Sequence, residues 1–95
     1  MLLSGKLGIR IPFEVKEFAR NQFTINFAGN CYFQSYGSMI CMRDKEGIYY
    51  LDENYWNYSR ITGKYRNKWL GEDINVTRKK IKNKEYILTN LNINE

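Results

Sequence analysis

The side chains of this sequence that could bind a ligand are mainly cations and aromatic rings. The segment from Tyr55 to Trp69 interleaves five rings with four cations. Rings stack on nucleobases while cations neutralise phosphates, so this mixture is typical of proteins that bind single-stranded nucleic acid. The alternative is that the rings pack against the rest of the fold and the cations form a solvated helix face. The rings are Tyr55, Trp56, Tyr58, Tyr65 and Trp69, and the cations are Arg60, Lys64, Arg66 and Lys68.

A second cationic cluster follows, with five cations in seven residues. Its members are Arg78, Lys79, Lys80, Lys82 and Lys84. Such a cluster on a short helix can steer a polyanion or an acidic protein surface, although it can also serve only to keep the protein soluble. The net charge of +5 arises entirely from Arg60 onward, where nine basic residues face four acidic ones. The sequence therefore predicts a cationic, partner-binding surface in the last third of the chain.

The residues needed for catalysis or metal binding are scarce. There is no His, and the only thiols are Cys31 and Cys41. A zinc site needs about four Cys or His ligands, and a catalytic dyad usually needs an imidazole base. Both thiols lie in apolar runs, which indicates buried core cysteines. A Ser-Lys nucleophile is the remaining possibility, but no supporting motif accompanies it. We expect a protein that binds rather than catalyses, with no metal and no cofactor.

The first half of the chain shows the alternation of β-strands. We expect residues 1–95 to form one domain, since this length suits a single core. Apolar and polar residues alternate over 9–18 and again over 22–27, the period of strands with one buried face. Pro12 cannot donate to a sheet, so the first strand is predicted at an edge. Residues 38–51 predict a β-hairpin around a polar turn.

Helical features replace this alternation after residue 52. Thr62 is predicted to cap a helix over 63–70, and Asp73 a second helix over 74–83. Residues 85–91 return to strand character. The prediction is an α+β fold: an antiparallel sheet of four to five strands with two or three short helices packed on one face.

The segment from Tyr55 to Glu72 resembles the central pattern of a family of small proteins from bacteriophages and mobile elements of Gram-positive bacteria. That pattern runs Tyr-Trp-Asp-Tyr-Ser-x-Thr-Thr-x-Lys-Tyr-Arg-x-x-Phe-Leu-Gly-Glu, and the resemblance extends over about 33–92. This chain departs from it at Asn57, Ile61 and Trp69, where the family has Asp, Thr and Phe. The family is of unknown function, so the resemblance implies an origin and no chemistry.

An origin in a phage or mobile element directs the functional expectation by association. We expect an inhibitor of a bacterial defence system, an anti-CRISPR or other anti-defence protein, that binds a defence protein or nucleoprotein complex in the host cytoplasm. One alternative is a phage accessory protein that binds DNA or RNA directly. Another is a structural, oligomeric virion component, and a homo-oligomer is also left open. No stretch approaches the ~18 apolar residues of a membrane span, so no membrane partner is expected.

Overall fold

A computed structural model describes residues 13–92 of the chain. The predicted strand residues 9–12 lie outside the described residues. The described range forms six strands and two helices. The strands are β1 (Phe13–Ala19), β2 (Gln22–Phe27), β3 (Asn30–Ser35), β4 (Ser38–Arg43), β5 (Tyr49–Asp52) and β6 (Tyr86–Thr89). The helices are α1 (Arg60–Leu70) and α2 (Ile74–Lys82). The predicted α+β class is confirmed, with two helices.

All six strands belong to one sheet, in the order β1-β2-β3-β4-β5-β6. The first five pair antiparallel, whereas β6 pairs parallel to β5. The predicted count of four to five strands is therefore too low for the described range, and the sheet is mixed. The parallel pair arises because α1 and α2 form the crossover that returns the chain beside β5 in the same direction.

Two-residue turns join β2 to β3 and β3 to β4. Ala28 and Gly29 have φ angles of 51° and 88°, and Tyr36 and Gly37 have 50° and 90°. Left-handed backbone at both central residues gives the twist that a two-residue hairpin requires. Tyr36 adopts this conformation although it carries a side chain, which the sequence does not signal. The tight turn lets β3 extend to Ser35 and β4 begin at Ser38.

Both helices pack on one face of the sheet, as predicted. The Trp69 ring of α1 stacks on Phe33 with centroids 6.2 Å apart and meets Tyr49 edge-on at 6.3 Å. Tyr65, one helical turn earlier, contacts Phe18 of β1 at 6.0 Å. The fully or nearly fully buried apolar residues in the described range are Phe33, Ile40, Cys41, Leu51 and Tyr86. This small core lies between the sheet and the helices.

The helix ends follow local chemistry. Ser59 caps α1, accepting a hydrogen bond from the backbone N–H of Thr62 at 3.1 Å. The prediction that Thr62 caps this helix is wrong, because Thr62 is buried inside it with its hydroxyl 2.8 Å from that of Ser35. Gly71 ends α1 in the left-handed conformation, with φ 73°. Asp73 caps α2 as predicted. Neither helix is long and apolar enough to cross a bilayer.

The cationic surface of α1 and α2

Three predicted contact residues form a stripe along α1. Arg60, Lys64 and Lys68 are spaced by four residues, so they follow one another on the same side of the helix. All three are exposed. The ammonium groups of Lys64 and Lys68 lie 5.2 Å and 5.5 Å from the centroid of the Tyr65 ring. This ring holds the two lysine stems against the helix while the charges remain open to solvent.

The second helix carries a similar group. Arg78, Lys79 and Lys82 are exposed on α2, and Lys84 is exposed just beyond it with φ 67°. Their charges lie in the last turns of α2, at the negative end of the helix dipole, which favours cations. These four residues and the α1 stripe are called the cationic surface below. None of its seven members forms an ion pair with a carboxylate of the described residues.

Lys80 is the predicted cation that is already neutralised. Its ammonium group lies 2.9 Å from a carboxylate oxygen of Glu72 and 5.2 Å from the Tyr86 ring centroid. The same carboxylate accepts hydrogen bonds from the hydroxyls of Tyr86 at 2.9 Å and Thr77 at 2.7 Å. Burial raises the pKa of Glu72, but these three donors together outweigh it and leave the pKa below its ordinary value. Lys80 therefore links α2 to the turn before it.

Arg66 is buried, with 1% of its surface exposed. Its guanidinium donates to the backbone carbonyl of Trp56 at 2.9 Å, to the Asn57 side chain at 3.0 Å and to the Asn67 side chain at 2.8 Å. Burial lowers the pKa of this group, and the nearby positive charge of Arg78 lowers it further. Its placement argues against the predicted role at a partner surface. Arg66 instead fixes the 53–58 segment onto α1.

Four of the five predicted rings belong to the scaffold. Tyr55, Trp56, Tyr65 and Trp69 are half-buried and pack against the core. Tyr58 is 45% exposed and meets Tyr55 edge-on at 5.1 Å. Because stacking on a base needs an open ring face, only Tyr58 could supply it without rearrangement. The other four rings pack against the rest of the fold, which is the alternative given for them above.

Two features of the described range bear on other chemistry. Residues 13–92 hold no group of three or more Cys, Asp or Glu that could bind a metal ion together. Cys41 is fully buried, and burial raises the pKa of its thiol far above the ordinary value. Cys31 is half-buried, and its pKa is also raised, mainly by burial. High thiol pKa values leave little reactive thiolate at neutral pH.

Sequence reasoning missed Glu72 as an organising residue. It stands between the two helices beside Asp73, the cap of α2, and its spacing from Lys80 and Tyr86 forms no distinctive motif. It also missed Asp52, which is buried and accepts backbone hydrogen bonds from Asn54, Tyr55 and Leu91. The carboxylate of Asp52 organises the turn that follows β5.

Sheet, helices and charge distribution define a small α+β protein whose helices carry a cationic surface. A model of a family of unknown function, DUF8033, matches residues 11–87, and the chain belongs to that family. No curated protein and no solved structure matches the chain.

Proposed function

We propose that this protein inhibits a bacterial defence system by stoichiometric binding, using the cationic surface to engage an anionic region of a defence protein or nucleoprotein complex. The observation that carries the proposal is the set of seven exposed cations on α1, α2 and the residue beyond, without ion pairs to the described carboxylates. A cationic surface of this density raises the encounter rate with anionic partners. The choice of a host defence system as the target follows from the proposed origin in a phage or mobile element, which rests on the resemblance.

Direct binding of single-stranded nucleic acid by an accessory protein is the second candidate, and the rings bear on it. Such binding usually combines cations with several stacked rings. Here four of the five rings near the cations pack against the core, which leaves Tyr58 as the most exposed of the five. Contacts to phosphates or to acidic side chains fit this surface better than base stacking does. The first candidate is therefore favoured, and the two are separated below.

The functional test is phage plating on bacteria that carry a defined defence system. Expressed wild-type protein should restore plating, whereas the triple variant Arg78→Ala/Lys79→Ala/Lys82→Ala should not, because it removes three free charges from the cationic surface. The matched control is Lys16→Ala/Arg20→Ala/Lys45→Ala, which removes three exposed charges elsewhere. Failure of the wild type across several defence systems would reject the proposal.

The salt dependence of binding measures the contribution of the same cations. If the partner surface is nucleic acid, the triple variant of α2 should lower the slope of log affinity against log salt by roughly 2.7 for a duplex or roughly 2.1 for a single strand, at about 0.9 or about 0.7 per phosphate contact. The control triple should leave the slope unchanged. A pull-down with and without nuclease then separates the candidates: a partner protein retained after nuclease supports the inhibitor, and complete loss supports the accessory nucleic-acid binder.

A further inference from the structure

One row of residues on the face of the sheet opposite the helices is apolar on every strand, while Glu17, Asn30, Gln34 and Thr89 lie elsewhere on the same face. Residues paired across neighbouring strands share a face, so the strand register defines a row with one residue from each strand. That row consists of Val15, Ile25, Tyr32, Met42, Tyr50 and Ile87. Every member is aliphatic, aromatic or a thioether. This face is called the open face below, because neither helix packs on it.

The open face is most apolar and most exposed on β1 and β2. Phe13 and Phe27 pair across these strands with ring centroids 5.7 Å apart, and 65% and 40% of their surfaces are exposed. Val15 is 48% exposed. The apolar residues of these strands do share one face, as the alternation predicts, but that face is turned away from the helices. The Lys16 and Thr24 pair lies on the helix side instead.

Charge is almost absent from the open face. No Lys or Arg of the six strands lies on it, and the carboxylates that reach it are engaged locally. Asp44, just beyond β4, accepts the hydroxyl of Tyr50. Glu17 accepts the backbone N–H of Asn21 in the β1–β2 turn. Asp52 is buried and accepts three backbone N–H groups. A nucleic acid laid on this face would meet no cation of the strands, so phosphates over the middle of the face would go without partners.

The extent of the face suits a second copy of the same chain. Six strands at about 4.8 Å spacing and about six residues of 3.3 Å each give a footprint of roughly 500 Å². Two such faces together reach the ~1,000 Å² expected of a specific interface.

We propose that the open face is the interface of a homodimer in which two sheets pack face to face. The same patch on each copy gives an isologous, two-fold arrangement. Inner side chains of two aligned sheets interdigitate about 10 Å apart. Because the members of the cationic surface lie on the helices, they point outward on both sides of the dimer. This interface is distinct from the cationic surface of the proposed function.

The test is the mass of the protein in solution, measured by sedimentation equilibrium across a concentration series. The wild type should have twice the 11.4 kDa monomer mass. Ile25→Glu, which places a carboxylate in the middle of the open face, should give a monomer with unchanged circular dichroism. The matched control Thr24→Glu changes the next residue of β2, which faces the helix side opposite Lys16, and should remain dimeric.

A second measurement needs no variant and so holds even if Ile25→Glu fails to fold. Hydroxyl-radical footprinting of the wild type should show that Tyr32 and Met42 are oxidised several-fold less at high than at low protein concentration. Equal oxidation at both concentrations, or a monomer mass at every concentration, would overturn the dimer. A wild-type monomer whose open face is protected by an added oligonucleotide would also overturn it and assign the face to nucleic acid.

Discussion

At the scale of single residues, Arg66 is the most unusual feature of the described range. Its buried guanidinium is surrounded by neutral acceptors, which are one backbone carbonyl and two side-chain amides. It also lies over the Trp56 ring, 5.4 Å from the centroid. Its Nε has no hydrogen-bond partner among the described residues. A buried charge is usually balanced by a carboxylate, so this residue stabilises the fold less than it could.

Asn57→Asp should therefore stabilise the protein. The Asn57 side-chain oxygen already lies 3.0 Å from a guanidinium nitrogen of Arg66, and residue 57 is itself exposed. A carboxylate oxygen at that position would form a charge-assisted hydrogen bond at little desolvation cost. We expect a gain in the free energy of unfolding of about 1 kcal/mol, the difference between neutral and charged hydrogen bonds. Urea denaturation at pH 7 measures it.

The control for this prediction is Asn54→Asp in the same turn. Asn54 is exposed, and its substitution by Asp introduces the same charge without a contact to Arg66. Any general benefit of lowering the net charge of +5 would appear in both variants. Equal stabilisation of the two would show that the neighbouring guanidinium is not responsible.

At the scale of secondary-structure elements, Glu72 joins three of them. It follows α1, binds Lys80 and Thr77 of α2, and accepts the Tyr86 hydroxyl of β6. The hydrogen bond from Tyr86 to Glu72 also affects the pKa of the Tyr86 hydroxyl. Burial, followed by the bond to Glu72, raises the pKa of Tyr86 to about 12. The helix pair is thus tied to the edge strand through one carboxylate.

The low pKa of Glu72 predicts how stability changes with pH. A carboxylate whose pKa is lower in the folded than in the unfolded state stabilises the fold above its unfolded value, about 4.3, and this stabilisation is lost as pH falls through the folded value. Glu72→Gln should therefore cost about 1–3 kcal/mol at pH 7, and much less near pH 3. Urea midpoints of both proteins from pH 7 to pH 3 measure the difference. A constant difference across that range would contradict the assigned ionic role.

Elements whose signals are local could be predicted from the sequence. The strand over 22–27, the hairpin over 38–51 and the cap at Asp73 were predicted within a residue or two, because alternation, turn residues and caps act over short distances. Alternation does not say which face the helices cover, since that depends on contacts between distant residues. The open face of β1 and β2 could not be inferred for that reason.

The role of Arg66 could have been inferred in part. Tyr65 and Trp69 mark the sheet side of α1 by their spacing, and Thr62, Arg66 and Trp69 fall on adjacent turns of that side. Arg66 therefore differs from the other cations of the segment in its position around the helix axis. Lys64 and Lys68, on the opposite side, are exposed as predicted. Which cations were free could be judged from helical phase, whereas the neutralisation of Lys80 by Glu72 could not.

At the scale of the whole molecule, the sheet separates two surfaces of opposite character. The cationic surface lies on the helix side, and the apolar open face lies on the other. In the proposed dimer, the two cationic surfaces face outward and away from each other. A partner can then engage both protomers only if it spans the dimer or is present in two copies. Substitutions that abolish binding through the cationic surface should therefore leave dimerisation intact, and substitutions that abolish dimerisation should leave each cationic surface intact.

This independence can be tested on a column of immobilised heparin, which serves as a polyanion probe. The dimer presents two cationic surfaces to the matrix, so Ile25→Glu should elute at lower salt than Thr24→Glu, although both variants have the same net charge. Arg78→Ala/Lys79→Ala/Lys82→Ala should elute at still lower salt while sedimenting as a dimer. If the triple variant became monomeric, the two surfaces would be coupled, and binding and self-association would have to share one interface. If the two glutamate variants eluted together, the matrix would be engaging one protomer at a time, and the expected gain from two surfaces would be wrong.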